Sequence, residues 1–189
     1  MLKTVSVVVV AYILAHGLTA LLVTPIQSRF LPEITAFASL VYLPHGVRVL
    51  TTWLLGRVAV VPIYLGAFLS EAIFTPGGFG TATQPVILVS ILVGASSSLV
   101  AFEGMKLAGV NLYAGQSRRI HWSWLLFVGV LASLINSVGQ VIVFSAAVHP
   151  EHYLAVLSIC AVGDLIGLVI TTLILMLLFR WMRQSPGRG

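Results

Sequence analysis

Long apolar runs alternate with short polar or glycine-rich breaks along the chain. Each run is close to the 20 or so residues that a helix needs to cross the ~30 Å hydrocarbon core of a bilayer. Strands of a membrane barrel are shorter, at about 10 residues, and alternate in polarity, so a barrel does not fit this pattern. The pattern predicts an all-α bundle of six transmembrane helices, at about Thr4–Val23, Ile34–Leu55, Val58–Phe74, Pro85–Leu107, Trp122–Ala147 and Tyr153–Leu178.

The second predicted helix contains a helix-breaking signal, Pro44-His45-Gly46. Proline has no backbone N–H, and its ring clashes with the preceding helical turn. The carbonyl that it frees needs another partner at membrane depth, because lipid offers none. We therefore expect the second helix to be broken near Pro44 and Gly46, with polar groups at the break.

The composition supports a membrane protein and excludes several other classes. The chain is 59% hydrophobic and only 8% charged, with a mean hydropathy of +1.07, which does not fit a soluble domain. The single cysteine, Cys160, excludes an intrachain disulfide and a cysteine-cluster zinc site. The net charge of +5 indicates cytoplasmic loops rather than nucleic-acid binding, since the basic residues stand at helix ends.

The basic residues divide unequally between the two sides of the predicted helices. If the N-terminus is cytoplasmic, only Arg29 lies in an outside loop, and Arg48 lies within the membrane. This asymmetry is the one that the positive-inside rule requires, so we expect both termini in the cytoplasm. Residues 1–180 then form one transmembrane domain that starts with an uncleaved first helix, and residues 181–189 form a short basic cytoplasmic tail. The inside set is Lys3, Arg57, Lys106, Arg118, Arg119, Arg180, Arg183 and Arg188.

Small residues at a spacing of four indicate where helices pack closely. Helix association in lipid depends on such residues because they let backbones approach. The clearest instance is the Gly163-x-x-x-Gly167 of the last helix. Weaker ladders are Ser90, Gly94 and Ser98 in the fourth helix and Gly129, Ser133 and Ser137 in the fifth.

Six ionisable or amide side chains at membrane depth are the candidate site. A charged group at the bilayer centre costs about 2.5–3.5 kcal/mol on insertion scales, so it usually faces protein or a water-filled cavity. The six side chains are His45, Arg48, Glu71, Asn136, Gln140 and Asp164.

Charge balance suggests how these side chains pair. Arg48 is the only fixed cation deep in the predicted membrane region, so we expect an Arg48–Asp164 ion pair with Glu71 and His45 nearby. Glu103 lies nearer the inside and is expected to pair with Lys106. Two interpretations stay open: a buried ion pair that only holds the bundle together, and a ligand-binding cavity between the second, third, fifth and sixth helices.

No enzymatic activity is expected. Gly163-Asp164 resembles the Gly-Asp of intramembrane aspartyl proteases, but that chemistry needs two carboxyl groups that share a proton. Asp164 is the only aspartate in the chain. No residue pattern identifies a cofactor, and no metal site is expected.

The stretch around Pro44 resembles the bacterial MASE1 membrane-associated sensor domain. The resemblance rests on Pro44-His45-Gly46, Gly56, Pro62, the Leu65–Phe68 run and a late Gly163-Asp164-x-x-Gly167. It covers about residues 40–75 and 160–178. This chain has Leu43 where the family usually has tryptophan, and family members usually have more membrane helices.

The resemblance implies a multi-pass protein of the bacterial inner membrane that works as a sensory or ligand-binding module, and it implies no known ligand. Family members usually carry a kinase, cyclase or phosphodiesterase behind the last helix. This chain stops at Gly189, so sensing is expected to need a membrane or cytoplasmic protein partner.

Two other functions stay open. The first is the substrate-binding component of an energy-coupling vitamin transporter, which also has six helices and carries small residues on its first helix, here Ala11 and Ala15. The second is a structural accessory subunit of a larger membrane complex. The expected partners are therefore the lipid bilayer, a protein and a small-molecule ligand, with no nucleic acid.

Overall fold

A computed structural model describes residues 2–30, 35, 39–115, 122–144 and 153–184 of the chain, and within them it contains helices and turns but no strand. A π-helical turn, Thr19–Val23, joins the first two helices, and a 3₁₀ turn, Gly56–Ala59, joins the third and fourth. For these residues the all-α prediction is confirmed. The helices are α1 (Leu2–Leu18), α2 (Thr24–Phe30), α3 (Leu43–Leu55), α4 (Val60–Phe74), α5 (Gly78–Ala82), α6 (Pro85–Leu107), α7 (Trp122–Val143) and α8 (Tyr153–Gln184).

The protein is a multi-pass membrane protein. Within the described residues, five helical stretches are long and apolar enough to cross a bilayer. Large apolar side chains such as Leu14, Val61 and Leu177 are exposed on their outer surfaces, where lipid would contact them. The five stretches are Leu2–Phe30, Leu43–Phe74, Pro85–Leu107, Ser123–Val143 and Leu157–Leu177.

Helix α3 runs antiparallel to α1. The backbone N–H of Leu43, at the start of α3, donates to Thr19 Oγ1 at 3.3 Å. Arg48, farther along α3, reaches back to Tyr12, nearer the start of α1. With 13 residues, α3 is only about 20 Å long, and most of its side chains are buried.

Helix α4 runs parallel to α1, so the chain reverses direction between α3 and α4. Gly66 packs against Tyr12, and Phe74, at the end of α4, packs against Gly17. The reversal occurs at Gly56, whose φ of +62° is a conformation that glycine adopts without steric cost. The stretch Leu43–Phe74 therefore consists of two short antiparallel helices joined by a turn.

The break that we expect near Pro44 is the start of a helix. Residues 39–42 are not helical, and Tyr42 has φ −105° and ψ 85°. Helix α3 begins at Leu43, which places Pro44 in the first turn, where its missing N–H has no helical partner to lose. Residues 34 and 36–38 of the predicted second helix lie outside the described residues.

The two glycines of the GxxxG pattern pack on backbone rather than on another helix. A Cβ at Gly163 would meet the carbonyl oxygen of Ser39, and a Cβ at Gly167 would meet that of Tyr42. The Tyr42 N–H also donates to the Gly163 carbonyl at 3.0 Å. The glycine face of α8 thus holds the nonhelical segment 39–42 and the start of α3.

Helix α8 is one unbroken helix that extends to Gln184. It therefore continues into the segment 181–189 that the sequence analysis assigns to a basic tail. The remainder of that tail, and residues 116–121 of the predicted basic loop, lie outside the described residues.

Candidate functional site

A cavity of about 660 Å³ opens at the end of the bundle where α3 begins and α4 ends. Side chains from α1, α3, α4, α6, α7 and α8 line it, and most of them are polar. Five of the six predicted site residues are among them: Arg48, Glu71, Asn136, Gln140 and Asp164. The cavity thus brings together side chains that lie more than a hundred positions apart in the sequence.

Arg48 is buried in this cavity, with 5% of its surface exposed, and its hydrogen-bond partners are phenols. Its Nε and Nη2 donate to the Tyr12 hydroxyl at 3.1 and 2.7 Å, and Nη2 also donates to the Tyr42 hydroxyl at 3.2 Å. The guanidinium carbon lies 5.3 Å from the centroid of the Tyr42 ring, a cation–π distance. The remaining nitrogen, Nη1, is buried and has no hydrogen-bond partner among the described residues.

Gly94 makes room for the guanidinium. An added Cβ at this position of α6 would lie 2.8 Å from Arg48 Nη2 and 3.0 Å from Nη1. Gly94, one of the small residues spaced four apart on α6, therefore contacts the charged side chain of Arg48.

Asp164 is paired with groups other than Arg48. It is 2% exposed, and its Oδ2 lies 3.4 Å from His45 Nδ1 and 3.4 Å from Asn136 Nδ2. Arg48 and Asp164, both of which the structure describes, form no ion pair, so the predicted Arg48–Asp164 pair is wrong. Because Gly163 fixes α8 against segment 39–42, the adjacent Asp164 lies over His45, one turn before Arg48 on α3.

His45 lies behind Asp164 and does not line the cavity. Its Nε2 is 3.1 Å from the Gly129 carbonyl oxygen. A carbonyl only accepts hydrogen bonds, so this contact places a proton on Nε2. Nδ1 then faces the Asp164 carboxyl group, and a hydrogen bond there needs one more proton, on either the imidazole or the carboxyl group.

The two predicted amides form a network across α6 and α7. Gln140 Oε1 accepts from Ser90 Oγ at 2.8 Å, and Gln140 Nε2 donates to the Ser90 carbonyl at 3.1 Å. The same nitrogen lies 3.3 Å from Asn136 Oδ1, as expected for residues four apart on one helical face. These contacts leave Asn136 positioned between Gln140 and Asp164.

Glu71 lines the cavity from α4 and is half-buried. Its carboxylate has no hydrogen-bond or ion-pair partner among the described residues. The cavity therefore contains a guanidinium with a free donor and a carboxylate with free acceptors.

Several polar cavity residues were missed by reasoning from the sequence, among them Tyr12, Tyr42 and Thr19. Tyr12 and Tyr42 accept the hydrogen bonds of Arg48, and Thr19 begins the π-helical turn. Such turns often mark functional sites. Tyr12 carries a polar tip within the apolar run Val7–Leu14, which is the one signal that identifies it in the sequence.

A second polar cluster lies at the other end of α3 and α6, beside the 3₁₀ turn. Arg57 Nη2 and Nε donate to the two Glu103 carboxylate oxygens at 2.7 and 3.2 Å. The Tyr113 hydroxyl donates to Glu103 Oε1 at 2.8 Å, and partial burial together with this bond raises the pKa of Tyr113 above its usual value. Glu103 thus pairs with Arg57, and the predicted Glu103–Lys106 pair is wrong, because the turn at Gly56 brings Arg57 beside α6.

No family model matches this chain, and no similar curated protein or solved structure is found. The resemblance to the MASE1 domain therefore stays a prediction from motifs.

Proposed function

We propose that this protein is a non-enzymatic membrane module that binds a small polar molecule in the cavity around Arg48 and acts through a partner protein. The observation that carries the proposal is the buried Arg48 Nη1, a charged donor without a partner beside a cavity of about 660 Å³. Leaving a buried donor unsatisfied costs about 1–3 kcal/mol, and more for a charged group. A ligand that accepts this hydrogen bond would offset that cost.

The cavity has the volume of a ligand site, since small-molecule pockets enclose about 300–1,000 Å³ and orient their ligand with a few polar groups. Here Arg48, Glu71 and the Asn136–Gln140 pair supply polar groups from α3, α4 and α7. A purely structural ion pair would instead bring the guanidinium and a carboxylate into contact, and Arg48 has no carboxylate partner among the described residues.

The sensory role in the bacterial inner membrane is supported by the motifs shared with MASE1. Pro44 and Gly46 lie in the first turn of the helix that carries Arg48, and two motif residues, Ala67 and Asp164, line the cavity.

The transporter alternative loses its sequence support. Ala15 is 8% exposed and packs inside the bundle, whereas Ala11 faces outward. The two alanines therefore do not form one free surface for a coupling partner.

Six membrane crossings with both termini cytoplasmic belong to the same proposal. They are supported by the antiparallel arrangement of α3 and α4 and by the distribution of Lys and Arg. We predict that Thr81→Cys reacts with a membrane-impermeant maleimide in intact cells and that Ser117→Cys reacts only after lysis. Both variants are made in a Cys160→Ala background to remove the native thiol.

The reverse labelling pattern would contradict six crossings. If residues 43–74 crossed the membrane only once, Thr81 would lie on the side of the N-terminus and Ser117 on the opposite side. A reporter fused at each terminus provides the control, since six crossings place both termini on one side.

Ligand binding is tested with two matched variants of the first helical stretch. Ala20 lines the cavity, whereas Ala11 is exposed on the outer surface of α1. The wild-type, Ala20→Leu and Ala11→Leu proteins are purified in nanodiscs, and the small molecules released on denaturation are compared by mass spectrometry. We expect a molecule that is retained by wild type and Ala11→Leu and depleted from Ala20→Leu. Equal amounts from all three proteins, or none from any, would contradict the proposal.

A further inference from the structure

We infer that the ligand of this cavity is a small zwitterionic group, which carries one singly charged oxyanion and one ammonium, as an amino acid does. This inference rests on the proposed function and names the chemical class of its ligand. It follows from two groups in the cavity that lack partners among the described residues, namely Nη1 of Arg48 and the carboxylate of Glu71.

The oxyanion is assigned to Arg48. Two of the three guanidinium nitrogens already donate to phenols, and Nη1 retains its N–H donors. Nη1 carries the charged donors that are still unpaired among the described residues. A charge-assisted hydrogen bond from a guanidinium favours carboxylate or phosphodiester oxygens.

The charge of the cavity limits this anion to a single negative charge. Among the described residues that line the cavity, Arg48 is the only arginine or lysine, and Asp164 and Glu71 line the same cavity. A doubly charged phosphate would add two negative charges opposite one guanidinium, with two carboxyl groups close by. Unbalanced charge is costly where the surroundings have a low dielectric constant.

The ammonium is assigned to Glu71. An ionised carboxylate only accepts hydrogen bonds, and this one lines the same cavity without a partner among the described residues. An ammonium supplies three donors and the opposite charge. A zwitterion therefore satisfies both unpaired groups at once and adds no net charge to the bilayer interior.

Two sources offer this chemistry, namely a free amino-acid-like solute and the ethanolamine headgroup of a phospholipid. Both present a singly charged oxyanion and an ammonium a few bonds apart. The experiment therefore has a solute arm and a lipid arm.

The solute arm measures thermal stabilisation of the full-length protein in phosphatidylglycerol nanodiscs by the common L-amino acids. Each stabilising amino acid is compared with its decarboxylated amine and its deaminated acid. We expect both analogues to bind at least about tenfold more weakly, because each lacks one charge-assisted contact.

Two variants identify the contacts that carry the affinity. In Glu71→Gln, the amino acid should bind no better than its deaminated acid, whose own affinity stays unchanged. In Arg48→Gln, the amino acid should bind no better than its decarboxylated amine. A general loss of folding would weaken all three ligands alike, and Glu71→Gln, at a half-buried position, provides the test alone if Arg48→Gln does not fold.

The lipid arm compares the melting temperature in nanodiscs with and without phosphatidylethanolamine. Occupation by the headgroup predicts a higher melting temperature with this lipid in wild type and no difference in Glu71→Gln. A positive result in either arm supports the zwitterion and identifies its source.

The outcomes separate this inference from the proposed function. A retained molecule that lacks either charge, or binding that Glu71→Gln leaves unchanged, overturns the zwitterion while the cavity remains a binding site. Absence of stabilisation in both arms, together with equal small-molecule contents of wild type and Ala20→Leu, overturns both.

Discussion

The two arginines of the α3–turn segment lie at opposite ends of the bundle and have opposite surroundings. The Arg57 side chain is 73% exposed, yet it binds the Glu103 carboxylate through two nitrogens. Arg48 is 5% exposed and has phenol partners and a free nitrogen. An exposed ion pair loses little hydration when it forms, and it adds little stability. A buried cation without a carboxylate partner is costly, and this cost is the reason for proposing that Arg48 binds a ligand.

The largest loss of stability is expected from changes to the two glycines of α8 that pack on segment 39–42. The double substitution Gly163→Ala and Gly167→Ala places each new methyl group against a carbonyl oxygen of segment 39–42, which cannot rotate away. We expect a loss of more than about 3 kcal/mol, since overpacking costs about 1–3 kcal/mol per site. The measurement is thermal melting in detergent.

A matched control for that variant lies toward the opposite end of the bundle. Gly104 has no atom within 4 Å of an added Cβ, so Gly104→Ala should leave stability unchanged or raise it by about 0.5–1 kcal/mol. Wild-type melting of the double variant would contradict the packing described for α8.

The second largest loss of stability is expected from replacing Arg48. Arg48→Leu removes the guanidinium that donates hydrogen bonds to the hydroxyl groups of Tyr12 and Tyr42. We expect a loss of about 1–3 kcal/mol in the free energy of unfolding. The loss is moderate because Asp164 keeps His45 and Asn136 as partners. Melting of this variant in nanodiscs gives the measurement. A loss well beyond that range would instead indicate that Asp164 depends on Arg48.

A smaller effect on stability is expected from Gly94→Ala. The new methyl group contacts the end of a flexible arginine, which moves at little cost, so stability should change by less than about 1 kcal/mol. The displaced guanidinium should nonetheless bind the cavity ligand more weakly than wild type does. Gly104→Ala, on the same helix, should leave binding unchanged, and equal binding by both variants would show that the Gly94 contact is unimportant.

The smallest effect is expected at the exposed arginine. Arg57→Leu removes the ion pair with Glu103, and we expect a melting temperature close to that of wild type with unchanged ligand binding. If Arg57→Leu lost as much stability as Arg48→Leu, the two arginines would not differ in the way that their surroundings indicate.

The helical class and the membrane location could be predicted because both follow from the length and hydropathy of each run, which are local properties. The gathering of Arg48, Glu71 and Asp164 around one cavity also agrees with the sequence analysis, because polar groups at membrane depth avoid lipid.

The pairing of those residues could not be predicted. The pairing depends on the rotation of each helix about its axis and on its position along the bundle. For α8, the packing of Gly163 on segment 39–42 determines both the rotation and the position. Tyr12 was overlooked as a partner because a single hydroxyl hardly changes the hydropathy of an apolar run. The Arg57–Glu103 pair likewise depends on a reversal at Gly56 that brings together residues far apart in the sequence.

The unbroken course of α8 has a mechanical consequence. Asp164 stands in the cavity wall, and the same helix continues to Gln184, about 30 Å farther along its axis. An α-helix is stiff along its length, so a small tilt or rotation imposed at Asp164 reappears at the far end as a displacement of Gln184. If the proposed ligand shifts Asp164, this stiffness would carry the shift to the far end of α8, where the proposed partner protein would respond to it.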